Sequence, residues 1–431
     1  MYYEDYILDT FRSIYEVNSE ITIGYNSSCD VCILNSSDTF FNNTEAHPEN
    51  FTFKKWDNRL LPVLFSKDNI DDWFTLNRNQ VIINYDILGA AFYFISGWQE
   101  IHTRKRDEHG RFPYNESHQK KYDYLTVPVV NYYFDVLKKA IELSSNKHIQ
   151  RKIWPDSNFK TIITHDIDKI NSGWKEGGFS ALKKGNFITL LSLLAKKVVS
   201  IDPWQNIPDI VELERSLNIP STFFFLTSKE KGNADYKLTQ VKPWLDLIIK
   251  QGSEVALHGS LGSCNNHEVL KTEKSKLITN PTGNRFHYLK FEPSTFAKNL
   301  EYAGFKYDSS VGFAEHIGFR YGFCFPFKLY DLQSKSVSDV LEIPLVLMDA
   351  TLSHQKYMKN DPEKHLKIDL VIEEVKKFGG VLTILWHNNY FSEHKYSGWK
   401  ELFISIIKKL IDKGSCFSTC NEIADQFNLD E

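Results

Sequence analysis

Asp166 and Asp168 stand two residues apart in Thr164-His165-Asp166-Ile167-Asp168, at the exit of the apolar run Thr161-Ile162-Ile163-Thr164. On an extended chain, alternation points both carboxylates to one side. Two carboxylates held together repel, which is costly unless a cation or a shared proton lies between them. Taken alone, the segment reads equally well as a turn whose aspartate caps the next helix. Histidines elsewhere change that balance. His258, His287 and His387 each follow an apolar segment, in Leu257-His258-Gly259-Ser260, Arg285-Phe286-His287-Tyr288 and Leu385-Trp386-His387-Asn388-Asn389. Asp308 and Asp349 close two more such segments. A single histidine is most often a satisfied core or surface residue. Three at equivalent places, beside paired aspartates, read as an assembled metal–carboxylate–imidazole site.

The elements that must position these residues begin near Trp154. Strands are predicted over 161–165, 221–227, 254–258, 284–289, 306–309, 341–348, 381–387 and 416–419. Helices are predicted over 207–217, 241–251, 267–278, 293–303, 368–378 and 399–413, with apolar residues at three- and four-residue spacing, as in Leu402, Ile406, Ile407 and Leu410. Gly252, Gly304, Gly379 and Gly414 fall where helices should stop. This repeat predicts an α/β fold, a parallel sheet closed or nearly closed into a distorted (β/α) barrel. In such barrels chemistry collects at the C-terminal ends of the strands, and the aspartates and histidines lie at those exits. Residues 1–150 read as a smaller N-terminal α/β domain and 151–431 as the barrel. The N-terminal part has short strands, a polar loop over 35–50, an aromatic-rich helix over 85–100 and a helix over 127–143. The charged excursion from Arg104 to Phe112 reads as a solvated loop, with reach into a neighbouring site as the alternative.

Composition narrows the classes of function. The chain has 431 residues, 42% hydrophobic and 25% charged, as an ordinary globular protein does. A net charge of −4 and the lack of a basic stripe argue against nucleic acid as a partner. Met1 to Asp5 lacks the basic and apolar regions of a secretory signal, and the longest apolar runs are too short to span a bilayer. The cytoplasm is the expected location. Six cysteines do not make a disulfide scaffold, and Cys29 and Cys32 read as a structural pair of thiols. Lys183-Lys184-Gly185-Asn186 followed by Phe187–Val199 is cationic and amphipathic. It is expected to pack over the barrel, with an interfacial membrane helix as the alternative. Phe223-Phe224-Phe225 is core, whereas Tyr288 and Trp386, next to site histidines, are expected to face the pocket and stack on sugar rings. Glu315 and His316 are further candidate pocket residues, a surface loop being the alternative.

Over about residues 155–431 these motifs resemble the polysaccharide deacetylase family (the NodB-homology domain of carbohydrate esterase family 4), in the family's order. The resemblance implies a distorted barrel of that type. It implies a catalytic base at Asp166, a metal-binding aspartate at Asp168 and a metal-binding histidine at His258. It further implies that Arg285 orients the base and that His387, in Leu385-Trp386-His387, is the catalytic acid. One position departs from the pattern: Gly262 stands where the family usually carries a second metal-binding histidine. His287, where many members carry proline, is the expected replacement, with water or Ser263 as the alternative third ligand. His165 should point away from the site and support it from behind. Leu61-Pro62-Val63-Leu64-Phe65 and Arg106-Asp107-Glu108-His109-Gly110-Arg111-Phe112 are similar to a companion domain, of no assigned chemistry, that precedes deacetylase domains in some bacterial proteins.

Carboxylate and imidazole ligands suit a divalent ion, foremost Zn²⁺, with an open position for water. Such an ion lowers the pKa of water and polarises an acyl carbonyl. The leading expectation is thus a metal-dependent hydrolase that removes N- or O-acetyl groups from a sugar or glycan. The alternatives are a hydrolase of a non-sugar C–N bond on the same scaffold, and a non-catalytic glycan-binding or assembly protein with a decayed metal site.

Overall fold

The computed structural model describes residues 3–66, 72–78, 80–154, 157–229, 234–353 and 362–428. Its N-terminal part carries the strands β1 (Ile23–Gly24), β2 (Val31–Ile33), β3 (Phe51–Trp56), β4 (Arg59–Leu64), β5 (Phe74–Asn77) and β6 (Gln80–Ile83). β1, β2 and β6 are parallel neighbours, β5 runs antiparallel along β6, and β3 and β4 form a separate antiparallel ribbon. The aromatic-rich segment predicted as one helix is two, Ile87–Ile95 and Trp98–His102. Gly97 between them turns the chain with a φ of 68°, a conformation that costs glycine little. The first of the two is buried all round, so it shows no polar face. The helix Val129–Ser145 follows and ends on Asn146 in the left-handed region.

The larger sheet has ten strands: β7 (Phe159–Ile167), β8 (Ser221–Phe225), β9 (Glu254–Gly259), β10 (Gly283–Phe286), β11 (Tyr307–Asp308), β12 (Phe327–Asp331), β13 (Ser336–Glu342), β14 (Leu345–Met348), β15 (Val381–Leu385) and β16 (Ser415–Ser418). Its order is β12-β13-β11-β10-β9-β8-β7-β15-β14, with β16 against β7. Every pairing is parallel except β12 with β13. The fold is thus mixed α/β around a parallel-rich sheet.

The sheet, expected to be closed or nearly closed into a barrel, forms no closed ladder. The ladder is open, because the one strand predicted over 341–348 is divided at Pro344, which has no N–H to give. Its first half, β13, pairs with β11, and its second half, β14, pairs with β15. Only Ile343 and Pro344 separate the two halves, so the covalent chain bridges the gap that hydrogen bonds leave. The antiparallel β12–β13 hairpin was not foreseen. Residues 337–340 of β13 alternate exposed and buried, as on an antiparallel strand with one wet face.

Both parts share one connected body of buried apolar side chains, from Tyr3 to Phe427. Buried polar contacts join them as well. Arg320 donates to both carboxylate oxygens of Glu100 at 2.7 and 2.6 Å, and Tyr132 Oη–H donates to Glu374 Oε2 at 2.8 Å. The helix Phe187–Val198, expected to pack over the sheet, buries only Leu193. All six cysteines are free thiols.

One buried pair makes the stability of the sheet depend on pH. Asp308 and Glu342 are register partners on β11 and β13, both fully buried. Burial pushes Asp308 up to about 6, and burial together with Asp308 pushes Glu342 up. Glu342 Oε1 accepts from Val311 N–H at 2.8 Å, while Oε2 has no donor, as when two carboxyls share a proton. A carboxyl raised in the fold favours its protonated form there. Its contribution is therefore complete below about pH 4, the unfolded value, and is lost as the pH rises through about 6. Glu342→Gln keeps the Val311 bond and supplies an N–H to Asp308. It should raise stability at pH 8 by on the order of 2 kcal/mol and change it little at pH 4. Urea denaturation at both pH values checks this, and an equal effect at both would refute the shared proton.

Candidate metal centre

Asp166, at the end of β7, is buried and accepts from Arg285 Nη1 at 3.0 Å. Arg285 is itself wholly buried on β10. Its Nη1 also donates to Thr164 Oγ1 at 2.7 Å, its Nε to Ser309 O at 2.8 Å and its Nη2 to Ser309 Oγ at 2.9 Å. The guanidinium lies over the Phe224 ring, 4.4 Å from its centroid. Its planar fork is thus fixed from β7, β8 and the loop after β11, which sets the direction of the Asp166 carboxylate.

His258 is the register partner of Arg285 on β9. Its Nδ1–H donates to Arg285 O at 2.8 Å, which leaves the Nε2 lone pair facing out, as a metal ligand requires. His258 Nε2 lies 3.2 Å from Asp168 Oδ1, and His287 Nε2 lies 3.6 Å from the same oxygen. The ligand atoms of Asp168, His258 and His287 all lie within 4.8 Å of one another. Four ligands at roughly 2.0–2.1 Å from a tetrahedral zinc ion would be about 3.3 Å apart. Asp168 Oδ1 is buried and has no hydrogen-bond donor in good geometry, although two imidazole nitrogens face it. An unsatisfied buried oxygen of this kind calls for an explanation, and a cation among the three atoms supplies one. The donor set therefore fits a divalent ion. Burial alone would raise the Asp168 carboxyl, but His287 and His258 outweigh it and hold the group well below the usual range.

The third candidate ligand is held differently from the second. His287 Nδ1 is buried without a partner, so its ring is held by stacking. Tyr288 lies against it with centroids 4.1 Å apart, and His109 lies on the other side of Tyr288 at 4.7 Å. The turn beneath is strained, with Tyr288 and Leu289 at φ 60° and 56°, uncommon for residues other than glycine. Arg111 Nη1 donates to Tyr288 O at 3.0 Å, while its Nε donates to Asp107 at 2.7 Å. Asp107 also accepts the backbone N–H of His109 and of Arg111. The charged loop of the N-terminal part thus grips the turn that carries His287. The loop is therefore not merely solvated: it contacts the turn that carries His287.

His387 closes the opposite side. Its Nδ1–H donates to Asp349 Oδ1 at 2.8 Å, and its Nε2 lies 3.9 Å from Asp168 Oδ2. Burial lowers the imidazole pKa, but Asp349, buried and hydrogen-bonded to it, wins and pushes it up to about 10. His387 keeps 16% of its side chain exposed and Asp168 26%, against 4% or less for Asp166 and His258. The cluster therefore meets solvent chiefly along the edge between Asp168 and His387.

Four expectations are corrected or relocated. Trp386 does not face the pocket. Alternation turns it away from His387, and it is fully buried against Trp399 and Phe403. Ser263 is no ligand, since its hydroxyl donates to Ser260 O at 3.0 Å. His316 lies against Tyr114 of the N-terminal part, with ring centroids 4.0 Å apart and the planes tilted, and Glu315 adds to the field at Arg320. Tyr288 is 40% exposed and forms part of the rim. His165 is buried behind the strand, with Nδ1 against Trp386 O at 2.6 Å and Nε2 against Glu214 at 2.7 Å. Asp349, His109 and Arg111 were given no role from sequence. Asp349 carried a usable signal, an acid directly after an apolar strand, as at the other exits.

Residues 5–146 match a family of unknown function, DUF7033. No curated protein matches the chain. Among solved structures, the chain is similar to a Mycobacterium smegmatis protein described as a polysaccharide deacetylase, at 15% identity, 64% of this chain, 92% of that chain and a TM-score of 0.42. It is similar to the allantoinase PuuE at 14% identity, the same two coverages and a TM-score of 0.43. It is also similar to the peptidoglycan deacetylase PdaC of Bacillus subtilis at 15% identity, covering 64% of this chain and 94% of that chain, with a TM-score of 0.29. Likeness at this level says nothing of activity.

The stacked grip on His287 has a measurable consequence. Arg111→Ala releases the turn without touching a ligand atom, and should weaken Zn²⁺ binding by about tenfold, the low end for residues that orient ligands. Asp168→Ala should abolish it. Competition against a chromophoric chelator gives both numbers, and an unchanged affinity in Arg111→Ala would show that His287 holds its place unaided.

Proposed function

We propose that the chain is a metal-dependent hydrolase that removes an N- or O-linked acetyl group from a sugar or glycan, on a distorted barrel of the polysaccharide deacetylase type. The observation that carries this reading is the flanking of one ligand cluster by two oppositely built pairs. Arg285 aims the Asp166 carboxyl group with a hydrogen bond, and Asp349 holds His387 as an imidazolium. A base and an acid on either side of a ligand cluster are what hydrolysis of an acyl bond needs.

Asp168, His258 and His287 would hold the ion, foremost Zn²⁺. When bound, it lowers the pKa of a water and polarises the acyl carbonyl. Asp166 takes the proton of the attacking water. The buried guanidinium of Arg285 fixes the direction of that carboxyl group. His387 gives the proton from Nε2 to the departing amine or alcohol, while Asp349 keeps Nδ1 protonated and the ring in place. Tyr288, exposed at the rim with His109 behind it, offers an aromatic face to a sugar ring. In this reading the chain divides near residue 150, and the N-terminal unit supplies part of the rim.

Acetate release from acetylated sugars and amino sugars, with cyclic amides in parallel, tests the reading. Activity should fall by at least 10²-fold in Asp166→Asn and in His387→Ala, within the range for a general base or acid. Activity should also be lost on chelation and return with Zn²⁺. Turnover of cyclic amides alone would move the reading to the C–N hydrolase, and a purified protein that binds no metal would sink it.

His387 itself gives a further expectation. Asp349→Asn removes the charge that raises the imidazole, so the alkaline limb of the rate profile should move to lower pH, with a drop of roughly 10²-fold at the optimum. A profile displaced by neither measure would mean that His387 is not the acid.

A further inference from the structure

Between β7 and the helix Ile207–Leu217 the chain leaves the sheet and forms a helical hairpin, Gly173–Lys183 and Phe187–Val198. The two helices hold each other closely: the backbone at Gly177 comes near Leu193, and Gly178 near Leu190. Only Leu193 of the second helix is buried. Phe187, Leu191, Leu194 and Val198 form another stripe, at the spacing of one helix face. This stripe is uncovered. Val198 is 85% exposed and its neighbour Ile188 83%, and Phe179 and Leu182 of the first helix are exposed as well. So much apolar surface in one place marks an interaction site and not chance exposure.

Charge narrows the partner. From 177 to 201 there is no acidic residue, while Lys183, Lys184, Lys196 and Lys197 are all present, in a chain whose net charge is −4. A second copy of the chain placed on this face would set lysines against lysines. A surface that is apolar underneath and anionic at its edge matches both features. At about 18 Å the second helix is far too short to cross a hydrocarbon core of about 30 Å. Among the described residues, no helix is long and apolar enough to cross a membrane.

We propose that the hairpin 173–199 lies on the surface of a bilayer containing anionic phospholipid, its apolar stripe in the interface and its lysines among the headgroups. Its base is bolted beside the candidate site. Asn388, next to His387, donates to Trp204 O at 2.8 Å and to Lys169 O at 3.0 Å, and Lys395 pairs with Glu176. The rim at His387 is therefore carried on whatever surface the hairpin rests on. The inference does not depend on the hydrolytic reading, because binding is measured without turnover.

Sedimentation of the full chain with vesicles provides the test, using phosphatidylcholine alone and phosphatidylcholine mixed with phosphatidylglycerol. The chain should bind the anionic vesicles at least tenfold more tightly, and added salt should weaken the binding. Ile188→Ser with Leu191→Ser and Val198→Ser should reduce it at least tenfold, with circular dichroism and Zn²⁺ affinity unchanged. Leu191→Trp should show an emission blue shift only with anionic vesicles. Equal failure to bind both vesicles would overturn the proposal. So would a wild-type dimer that the triple variant dissociates, since the face would then serve a protein.

Discussion

The whole arrangement rests on a guanidinium buried where water cannot reach it. An ion of that size loses several kcal/mol of solvation on burial, and breaking a buried pair from one side costs about 3–5 kcal/mol. Arg285 is tolerated because Asp166, Thr164, Ser309 and the face of Phe224 surround it. Those partners come from β7, β8 and the loop after β11, so the strands must keep their register for the charge to stay satisfied. The carboxylate that stabilises the arginine is thereby aimed, and its neighbour His258 is fixed through the arginine's own carbonyl. One buried cation thus sets the geometry of a candidate base and a candidate ligand at once.

The remaining carboxylates follow the same logic. Asp349 is matched by His387, which it keeps protonated. Asp168 is the exception. Its nearest partners are two imidazoles, His258 and His287, and one of its oxygens is buried without a donor. Hydrogen bonds satisfy the first two acids, whereas the third is arranged as a ligand is, with lone pairs converging on a point. That contrast among three acids in one site is stronger than the mere proximity of histidines, because proximity alone is common on protein surfaces.

Sequence made the strand exits legible because an apolar run followed by a polar residue has the same form whatever the tertiary context. Asp166, Asp168, His258, Arg285, His287 and His387 were all found that way, and the structure brings them together. Closure of the sheet was not legible, since it turned on Pro344 and on which neighbours the two halves of one extended segment would choose. Trp386 was misplaced for a simpler reason: adjacency in sequence was taken for a shared face, whereas alternation sends neighbours to opposite sides. His109 and Arg111 lay beyond reach because their partners, Tyr288 and its carbonyl, are remote in the chain, and no local pattern records such a contact. The hairpin 173–199 was read as amphipathic, but amphipathicity does not say what covers the apolar side.

The strained turn at Tyr288 and Leu289 links these threads. Left-handed conformations in such residues cost of order 1–3 kcal/mol each, and persist only where the surroundings hold them. Here the hold comes from outside the sheet, through Arg111 on the carbonyl of Tyr288 and His109 on its ring. Gly262 offers no side chain to the cluster from the turn after β9. A ligand supplied from the end of β10 needs a different support, and the N-terminal region provides it. The two parts of the chain are therefore not a scaffold and an appendage. The buried Glu100–Arg320 pair locks the N-terminal region against the segment before β12, and that lock is what gives the 107–111 loop a firm base from which to hold His287.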